Sequence, residues 1–279
     1  MRKNSFTEGV QQYRNLLVKK GKFSTAKSYQ DALNSLIRFF GRDGIAYNDI
    51  TRTNLHRYQD DLLKRGLSRN TVSTYMRRVR CIYNQAVENE KAPYIPNLFK
   101  GIFTGVESCR KKAVTQEEIR RLITAPVRNP GLRQAQLAVT LMFQYGGMAF
   151  VDLSHLRARN FQKGILDYKR QKTGTPMRIL IPEATQSPFQ VLSAHTHPDS
   201  PYLFPFLSGT KKGEAAYREY TSSLARFNRD LKALAQATGV SSPVSSYTIR
   251  HSFASILKNC RYNTACILLQ YRKKFNIIP

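Results

Sequence analysis

Residues 165–181 read ILDYKRQKTGTPMRILI, and this stretch decides which fold class the sequence predicts. Two short alternating runs, Ile165–Arg170 and Met177–Ile181, lie on either side of a turn that contains glycine and proline. That arrangement is typical of a β-hairpin. Most of the remaining sequence instead repeats its apolar residues at helical spacing. The sequence therefore predicts a mainly α-helical protein with one small β-sheet.

The helices around this hairpin have recognisable starts and lengths. A capping box at Thr115–Glu118 is expected to open the first of them. Periodicity then predicts an apolar helix over Leu132–Tyr145, a long amphipathic helix over Gly213–Thr238 and a last helix over Tyr247–Asn259.

The first hundred residues predict four helices joined by short turns. The first covers Phe6–Lys19, the second runs from a cap at Ser24 to Phe40, and the third runs from a cap at Thr53 to Arg65. The fourth and longest begins after Ser68. Its apolar positions, 72, 75, 79, 82, 83 and 86, form one stripe that predicts a bundle core. Arginines lie on its other faces, so this helix can pack and contact phosphates together.

The best candidate for a linker lies within residues 91–112, where no regular period survives. This stretch contains two prolines and two glycines and ends in Arg110, Lys111 and Lys112. A new helical unit starts directly after it. We therefore predict a first domain over residues 1–105, a basic linker over residues 106–113 and a second domain over residues 114–279.

The charge balance favours a nucleic-acid partner. The chain has 45 Lys and Arg against 18 Asp and Glu, a net charge of +27. Cations that neutralise duplex phosphates release counterions, so such a surface is the expected footprint of a DNA-binding protein. A membrane surface or an acidic partner would also accept this charge. However, no apolar run approaches the ~20 residues of a spanning helix, and Met1–Val10 has no apolar core of a secretory signal. We expect a cytoplasmic protein.

The cysteines and histidines indicate no metal site. Cys81, Cys109, Cys260 and Cys266 have no C-x-x-C spacing and are interpreted as reduced thiols. One close histidine pair, at residues 195 and 197, lies in a loop-like stretch beside proline. Neither a phosphate-binding G-x-x-x-x-G-K-[ST] loop nor an H-E-x-x-H motif occurs. We expect neither a metal nor a small-molecule cofactor.

Three strings in this order resemble a known family. RNTVSTYMR occupies residues 69–77, GMAFVDL occupies residues 147–153, and SYTIRHSFA at residues 246–254 follows the hairpin. Together they resemble the tyrosine recombinases, or phage integrases, of the type found on Bacteroides mobile elements. The resemblance implies a SAM-like helical core-binding domain followed by an α+β catalytic domain. It also implies duplex DNA as partner, assembly of several copies on DNA, and a role in DNA integration.

The family's reaction explains which residue types are needed. A tyrosine hydroxyl attacks a DNA phosphodiester, which leaves a 3′-phosphotyrosine and a free 5′-hydroxyl, and another strand's hydroxyl reverses the step. Charge on the phosphate is met by arginines and by a histidine or tryptophan. A lysine on a β-turn protonates the leaving hydroxyl. No ATP and no obligatory metal take part.

The resemblance implies catalytic roles for Arg250, His251 and Lys172 and a supporting role for Asp152. Arg250 matches the arginine of the family's H-x-x-R-H box, in which Tyr247 takes the first histidine position, and His251 follows it. Lys172 matches the hairpin lysine, and Asp152 matches an acidic residue that supports the first arginine. Each has a plainer alternative: a surface arginine, a semi-buried histidine, a solvated lysine or a polar helix-start residue.

The first arginine itself is absent from its expected positions, which hold Gly146 and Ala149. Its loss is expected to reduce the rate by roughly 10²–10³, by analogy with one lost oxyanion donor. A nearby arginine, Arg157 or Arg159, is a candidate substitute.

The C-terminal segment departs further from the family pattern. No Gly-His pair follows Arg250, and Tyr262 follows it too closely to reach the same phosphate. Tyr271 is the candidate nucleophile, although it stands about one helix nearer to Arg250 than the family pattern places it. A basic amphipathic tail, or a tail read out of frame, are the alternatives. The second domain is therefore expected to be incomplete at its C-terminus.

Three functions stay open from the sequence. The first is a recombinase whose two domains clamp duplex DNA, with strand cleavage impaired. The second is a DNA-binding remnant of an integrase, and the third is a basic helical adaptor for RNA or protein. The residues predicted to contact DNA are Arg69, Asn70, Thr71, Arg77, Arg78, Lys111 and Lys112.

Overall fold

The structure, a computed structural model, describes residues 5–108 and 113–259. The chain divides into two compact units, residues 1–109 and residues 110–279, and each has its own hydrophobic core. The described part is mostly helical with one small sheet, so the predicted fold class is confirmed. None of the helices in this part is long and apolar enough to cross a membrane.

The first unit is a bundle of four helices. They are α1 (Phe6–Lys19), α2 (Phe23–Phe40), α3 (Arg52–Lys64) and α4 (Arg69–Glu88). Helix α2 packs against α1 and α4, and α3 closes the bundle against α4. The predicted apolar stripe of α4 is buried in this core, except that Tyr75 is only partly covered.

Two of the predicted helix caps are wrong. Helix α2 begins at Phe23 after Lys22, which makes no side-chain cap, so Ser24 lies inside the first turn. Helix α3 is capped by Thr51, whose side chain accepts from the Asn54 amide. The cap at Ser68 is confirmed, because its side chain accepts a hydrogen bond from the backbone N–H of Thr71.

The irregular stretch after α4 belongs largely to the first unit. Ala92, Leu98 and Ile102 are buried in that unit's core, which explains how a segment without helical periodicity stays packed. These residues lie within the first domain predicted over residues 1–105. Of the predicted linker at 106–113, residues 109–112 lie outside the described part of the chain.

The second unit is built around one buried helix. Helix α6 is buried at every position from Ala135 to Gln144, and it contacts α5, α8, α9 and α10. The capping box predicted at Thr115 is present at the start of α5. The six helices of this unit's described part are α5 (Gln116–Thr124), α6 (Pro130–Gln144), α7 (Phe150–Ser154), α8 (Gln186–Ser193), α9 (Gly213–Ala237) and α10 (Ser246–Asn259).

The sheet of the second unit is antiparallel with the order β1-β2-β3. Its strands are β1 (Phe161–Gln162), β2 (Ile165–Lys169) and β3 (Pro176–Leu180). The register pairs Asp167 with Arg178 across the predicted hairpin, which is confirmed. The short strand β1 was not predicted.

Candidate nucleic-acid interface

Two glycines form the turn between α6 and α7. Gly146 and Gly147 have backbone φ angles of 74° and 67°, a left-handed region that glycine adopts without strain. The Gly147 carbonyl oxygen accepts a 2.8 Å hydrogen bond from Nη1 of Arg250 on α10. A Cβ atom at residue 147 would lie 2.9 Å from the Cβ of Phe253, one turn further along α10. Glycine at this position therefore lets α10 approach and brings Arg250 to the turn.

Asp152 on α7 connects this turn to the hairpin. The residue is only 3% exposed, and its Oδ1 accepts a 2.8 Å hydrogen bond from the backbone N–H of Gln171. Lys172 is the next residue and is exposed in the loop between β2 and β3. Asp152 thus fixes the base of the loop that carries Lys172.

Four residues form one electrostatic cluster around this carboxylate. Burial raises the pKa of Asp152, while the Gln171 N–H and the charges of Arg170 and Arg250 act in the opposite direction. Burial also raises the pKa of Tyr168 to about 12, with Asp152 adding to the rise and Arg250 and Arg170 opposing it. Asp152, Tyr168, Arg170 and Arg250 are therefore close enough to influence one another's charge. We refer to these four residues as the Asp152 cluster.

An exposed aromatic side chain lies one helical turn before Arg250. Tyr247 is 62% exposed, and its ring meets that of His251 edge-on at a centroid distance of 4.1 Å. The His251 side chain is partly buried behind it. The start of α10 therefore presents a tyrosine, backed by a histidine, on the helix that also carries Arg250.

A polar cleft of about 560 Å³ lies beside the Asp152 cluster. Its lining includes Asp152, Tyr168, Arg157 and Arg159. The guanidinium of Arg157 lies over the Tyr202 ring, 5.4 Å from its centroid, whereas Arg159 is exposed. Both arginines proposed as substitutes for the missing first arginine therefore line this cleft.

In the first unit, the residues at the start of α4 make intramolecular contacts. The Arg69 guanidinium lies over the Phe103 ring, 4.5 Å from its centroid, and Nη1 is 3.7 Å from a carboxylate oxygen of Glu107. The Asn70 amide donates to the Glu107 carbonyl at 2.9 Å and accepts from the Glu107 N–H at 2.8 Å. Thr71 lies against its own cap, with its hydroxyl 2.9 Å from that of Ser68. These contacts fasten residues 103–107 to α4.

The remaining arginines of α4 differ in exposure. Arg78 donates from Nε to Ser28 Oγ at 3.1 Å and lies over the Tyr29 ring, 4.8 Å from its centroid. Arg77 and Arg80 are exposed. Of the arginines predicted to contact DNA here, Arg69 and Arg77 are both exposed, and Arg69 also contacts Phe103 and Glu107.

Three predicted site residues, Lys111, Lys112 and Tyr271, lie outside the described residues.

The sequence of the first unit matches a known domain. Residues 5–99 match the family model of the phage integrase SAM-like domain. A search among curated proteins found no match.

Solved structures resemble the chain over nearly its full length. XerH site-specific recombinase, solved after cleavage of its palindromic difH substrate, superposes with a TM-score of 0.66 at 16% identity, over 91% of this chain and 74% of its own. A lambda integrase dimer on a COC′ core site has a TM-score of 0.66 at 14% identity, over 98% and 96%. The integrase of transposon Tn1549 with circular intermediate DNA has a TM-score of 0.59 at 14% identity, over 96% and 90%.

The chain has the tyrosine recombinase fold. Because these sequence identities are low, the structural similarity is evidence for the fold of this recombinase-like chain alone. The assignment to the Bacteroides mobile-element type stays a prediction.

Within this recombinase fold, the Asp152 cluster contains two residues that the sequence analysis missed. Tyr168 lies on β2 and Arg170 directly follows it, where alternation predicted a strand without indicating which side chains lie near Asp152. The signal available in the sequence was a basic residue directly before the Gln171–Lys172 turn. It could not be distinguished there from the many other surface cations.

Replacing Asn70 with alanine is expected to loosen residues 103–107 from α4. Two hydrogen bonds to the Glu107 main chain are lost, at a cost of about 1–2 kcal/mol in the free energy of unfolding of the first unit. Amide hydrogen exchange should show faster exchange of the Glu107 N–H. Asn84→Ala, an exposed change on the same helix, is the control. Equal exchange in both variants would contradict the fastening role.

Acidification is expected to destabilise the second unit through His155. Burial lowers the pKa of His155, with Arg157 adding to the fall and Asp152 and the Val151 carbonyl opposing it. The unfolded chain therefore binds a proton near pH 6.5 that the folded chain refuses, so stability falls below that pH, by at most about 1.4 kcal/mol per pH unit. Urea unfolding at pH 7.5 and 5.5 should show a smaller loss in His155→Asn. An identical loss in both proteins would contradict this.

Proposed function

We propose that this protein carries out site-specific DNA recombination by strand transfer through a tyrosine. In the proposed step the phenol of Tyr271 gives its proton to solvent and its oxygen bonds to a phosphorus atom of the duplex. The bond from that phosphorus to the 5′-oxygen breaks, and Lys172 gives the leaving oxygen its proton. Attack of another strand's 5′-hydroxyl releases the tyrosine and completes the exchange, so the chain needs no net energy source.

One observation carries the proposal: the contacts of Arg250 and Asp152 join three separate segments of the chain. Arg250 donates to Gly147, and Asp152 accepts from the residue next to Lys172. A guanidinium can give two parallel hydrogen bonds to phosphate oxygens, and fixed donors of this kind stabilise charge that develops during phosphoryl transfer. Arg250, His251 and Lys172 are therefore proposed as the catalytic residues that surround the phosphate.

The partner proposed for this site is duplex DNA. The net charge of +27 supports an electrostatic contribution from both units. The three recombinase structures described above contain DNA, and lambda integrase has been solved both as a dimer and as a tetramer on DNA. We therefore propose that several copies of this chain assemble on DNA, as part of the integration of a mobile element. A cytoplasmic site of action, where such DNA is found, belongs to the same proposal.

The residues predicted to contact DNA all remain part of this proposal. They differ in whether their side chains are exposed or already have partners within the first unit. Arg77 is exposed, and Lys111 and Lys112 belong to the basic stretch proposed as linker over residues 106–113. Arg69, Asn70, Thr71 and Arg78 would act through the shape of the α4 surface, because their side chains already have partners within the first unit. The second domain is proposed to cover residues 114–279.

The experiment starts by selecting duplexes that bind the full chain from a random-sequence library. Selected duplexes are then nicked at successive positions and incubated with the protein, and covalent adducts are resolved on a denaturing gel. We expect an adduct from the unmutated chain that is absent from Tyr271→Phe and present in the control Tyr262→Phe. An adduct lost in the control and kept in Tyr271→Phe would reassign the nucleophile.

A second function, DNA binding without cleavage, is favoured by one observation. The positions at which the family resemblance places its first arginine hold Gly146 and Ala149, so one phosphate donor is absent there. This function predicts duplex binding that weakens steeply with salt and survives Tyr271→Phe, together with no adduct from the unmutated chain on any nicked duplex.

A further inference from the structure

Arg170 lies between β2 and the loop that carries Lys172. Its backbone closes that loop: the Arg170 N–H donates to the Thr175 carbonyl at 2.9 Å, and its carbonyl accepts from the Gly174 N–H at 2.8 Å. We infer that Arg170 provides, beside Arg250, a second guanidinium that contacts the DNA phosphate in this site. The inference rests on the proposed function, because it takes duplex DNA as the ligand.

The charges of the Asp152 cluster do not balance. Asp152 brings one negative charge, and both Arg170 and Arg250 act on it. His155, which also faces Asp152, favours its neutral form because burial lowers its pKa. One carboxylate between two guanidiniums leaves an excess positive charge in a partly buried place. Such a charge is costly unless an anion joins it.

One hydrogen-bond donor of Arg170 has no acceptor in the part of the chain that the structure describes. The Arg170 Nε atom is covered by its surroundings, and it finds no acceptor among the described residues. A covered N–H without an acceptor costs free energy, so such groups call for an explanation, and an absent ligand is one. Arg170 as a whole stays partly exposed, so its side chain can move toward a phosphate that arrives beside Asp152.

The competing explanation is that Arg170 only neutralises Asp152. A lysine at this position would keep that positive charge, but it lacks the planar fork that gives two hydrogen bonds to one phosphate. Comparing duplex binding by Arg170→Lys and by Arg170→Ala therefore separates the effect of the positive charge from the effect of the phosphate contact.

The deciding experiment follows the arginine Nε–H signals of the full chain by ¹⁵N–¹H NMR while unlabelled duplex is added. The Arg170 signal is assigned by its loss in Arg170→Lys, and that of Arg229, an exposed residue of α9 next to Asp230, is the control. We expect the Arg170 signal to move downfield and exchange more slowly with water on DNA binding, while the Arg229 signal stays in place. An unmoved Arg170 signal, with backbone amides reporting bound duplex, overturns the inference and leaves DNA binding intact.

Salt dependence gives a second, independent readout. Loss of one phosphate contact in Arg170→Ala should reduce the slope of log affinity against log salt by about 0.9, whereas Arg229→Ala should leave it unchanged. Thermal unfolding by circular dichroism shows whether each variant is folded. An unchanged slope in a folded Arg170→Ala protein contradicts the inference. If the unmutated chain binds no duplex at all, the proposed function fails and this inference fails with it.

Discussion

Replacing Arg250 with lysine is expected to lower the rate of covalent adduct formation by roughly 10²–10³, the range seen when one preorganised donor is removed from a reaction centre. Lysine keeps the charge but offers a single point of contact in place of a planar fork. It can still donate to the Gly147 carbonyl that holds Arg250, so the fold should survive. Duplex affinity should therefore change far less than the rate.

The measurement is the rate of adduct formation on a selected nicked duplex, with affinity followed separately by fluorescence anisotropy. Arg226→Lys, at an exposed position on α9, is the matched control and should react like the unmutated chain. A rate for Arg250→Lys close to that of the control would remove Arg250 from the reaction centre.

Replacing Gly147 with alanine is expected to destabilise the second unit by about 2–5 kcal/mol. A left-handed conformation costs a residue with a Cβ about 1–2 kcal/mol, and overpacking in a dense interior costs about 1–3 kcal/mol. Both apply here, because φ is 67° and the new Cβ would lie 2.9 Å from the Phe253 Cβ. Urea unfolding of the full chain, followed by circular dichroism, measures the loss in the second unit's transition.

Gly146→Ala is the matched control for this prediction. Its φ is 74°, but a Cβ there would have its nearest neighbour at 3.8 Å, an ordinary contact. Only the conformational cost of about 1–2 kcal/mol should therefore appear. Equal losses in the two variants would show that the approach of α10 to the turn does not require glycine at residue 147.

Sequence periodicity was sufficient for the long elements and failed for the short ones. The hairpin and helices such as α1 and α9 extend over enough residues to reveal a repeat, whereas α7 and β1 are too short to show one. The caps at Ser24 and Thr53 were misplaced for a related reason. A serine or threonine in the first helical turn gives the same sequence signal as one just before it.

The sequence predicted residues of the candidate site only where they lie in a short, recognisable segment. Arg250 and Lys172 stand in short recognisable segments, so the sequence alone could single them out. The partners of Asn70 could not be found in this way, because Glu107 is 37 positions away. A contact at that separation depends on how α4 packs with the stretch after it, which no repeat encodes. Arg170 was not identified because its place before the Gln171–Lys172 turn does not distinguish it from the many other surface cations.

The acceptor that holds Arg250 is a main-chain carbonyl and thus belongs to no side chain. Substitutions around the Gly-Gly turn can therefore alter every neighbouring side chain and still present the same oxygen to α10. The placement of Arg250 therefore depends on glycine at residue 147 more than on the identity of the side chains around the turn. A chain with glycine at residues 146 and 147 can in this way keep Arg250 in position while the side chains around it change.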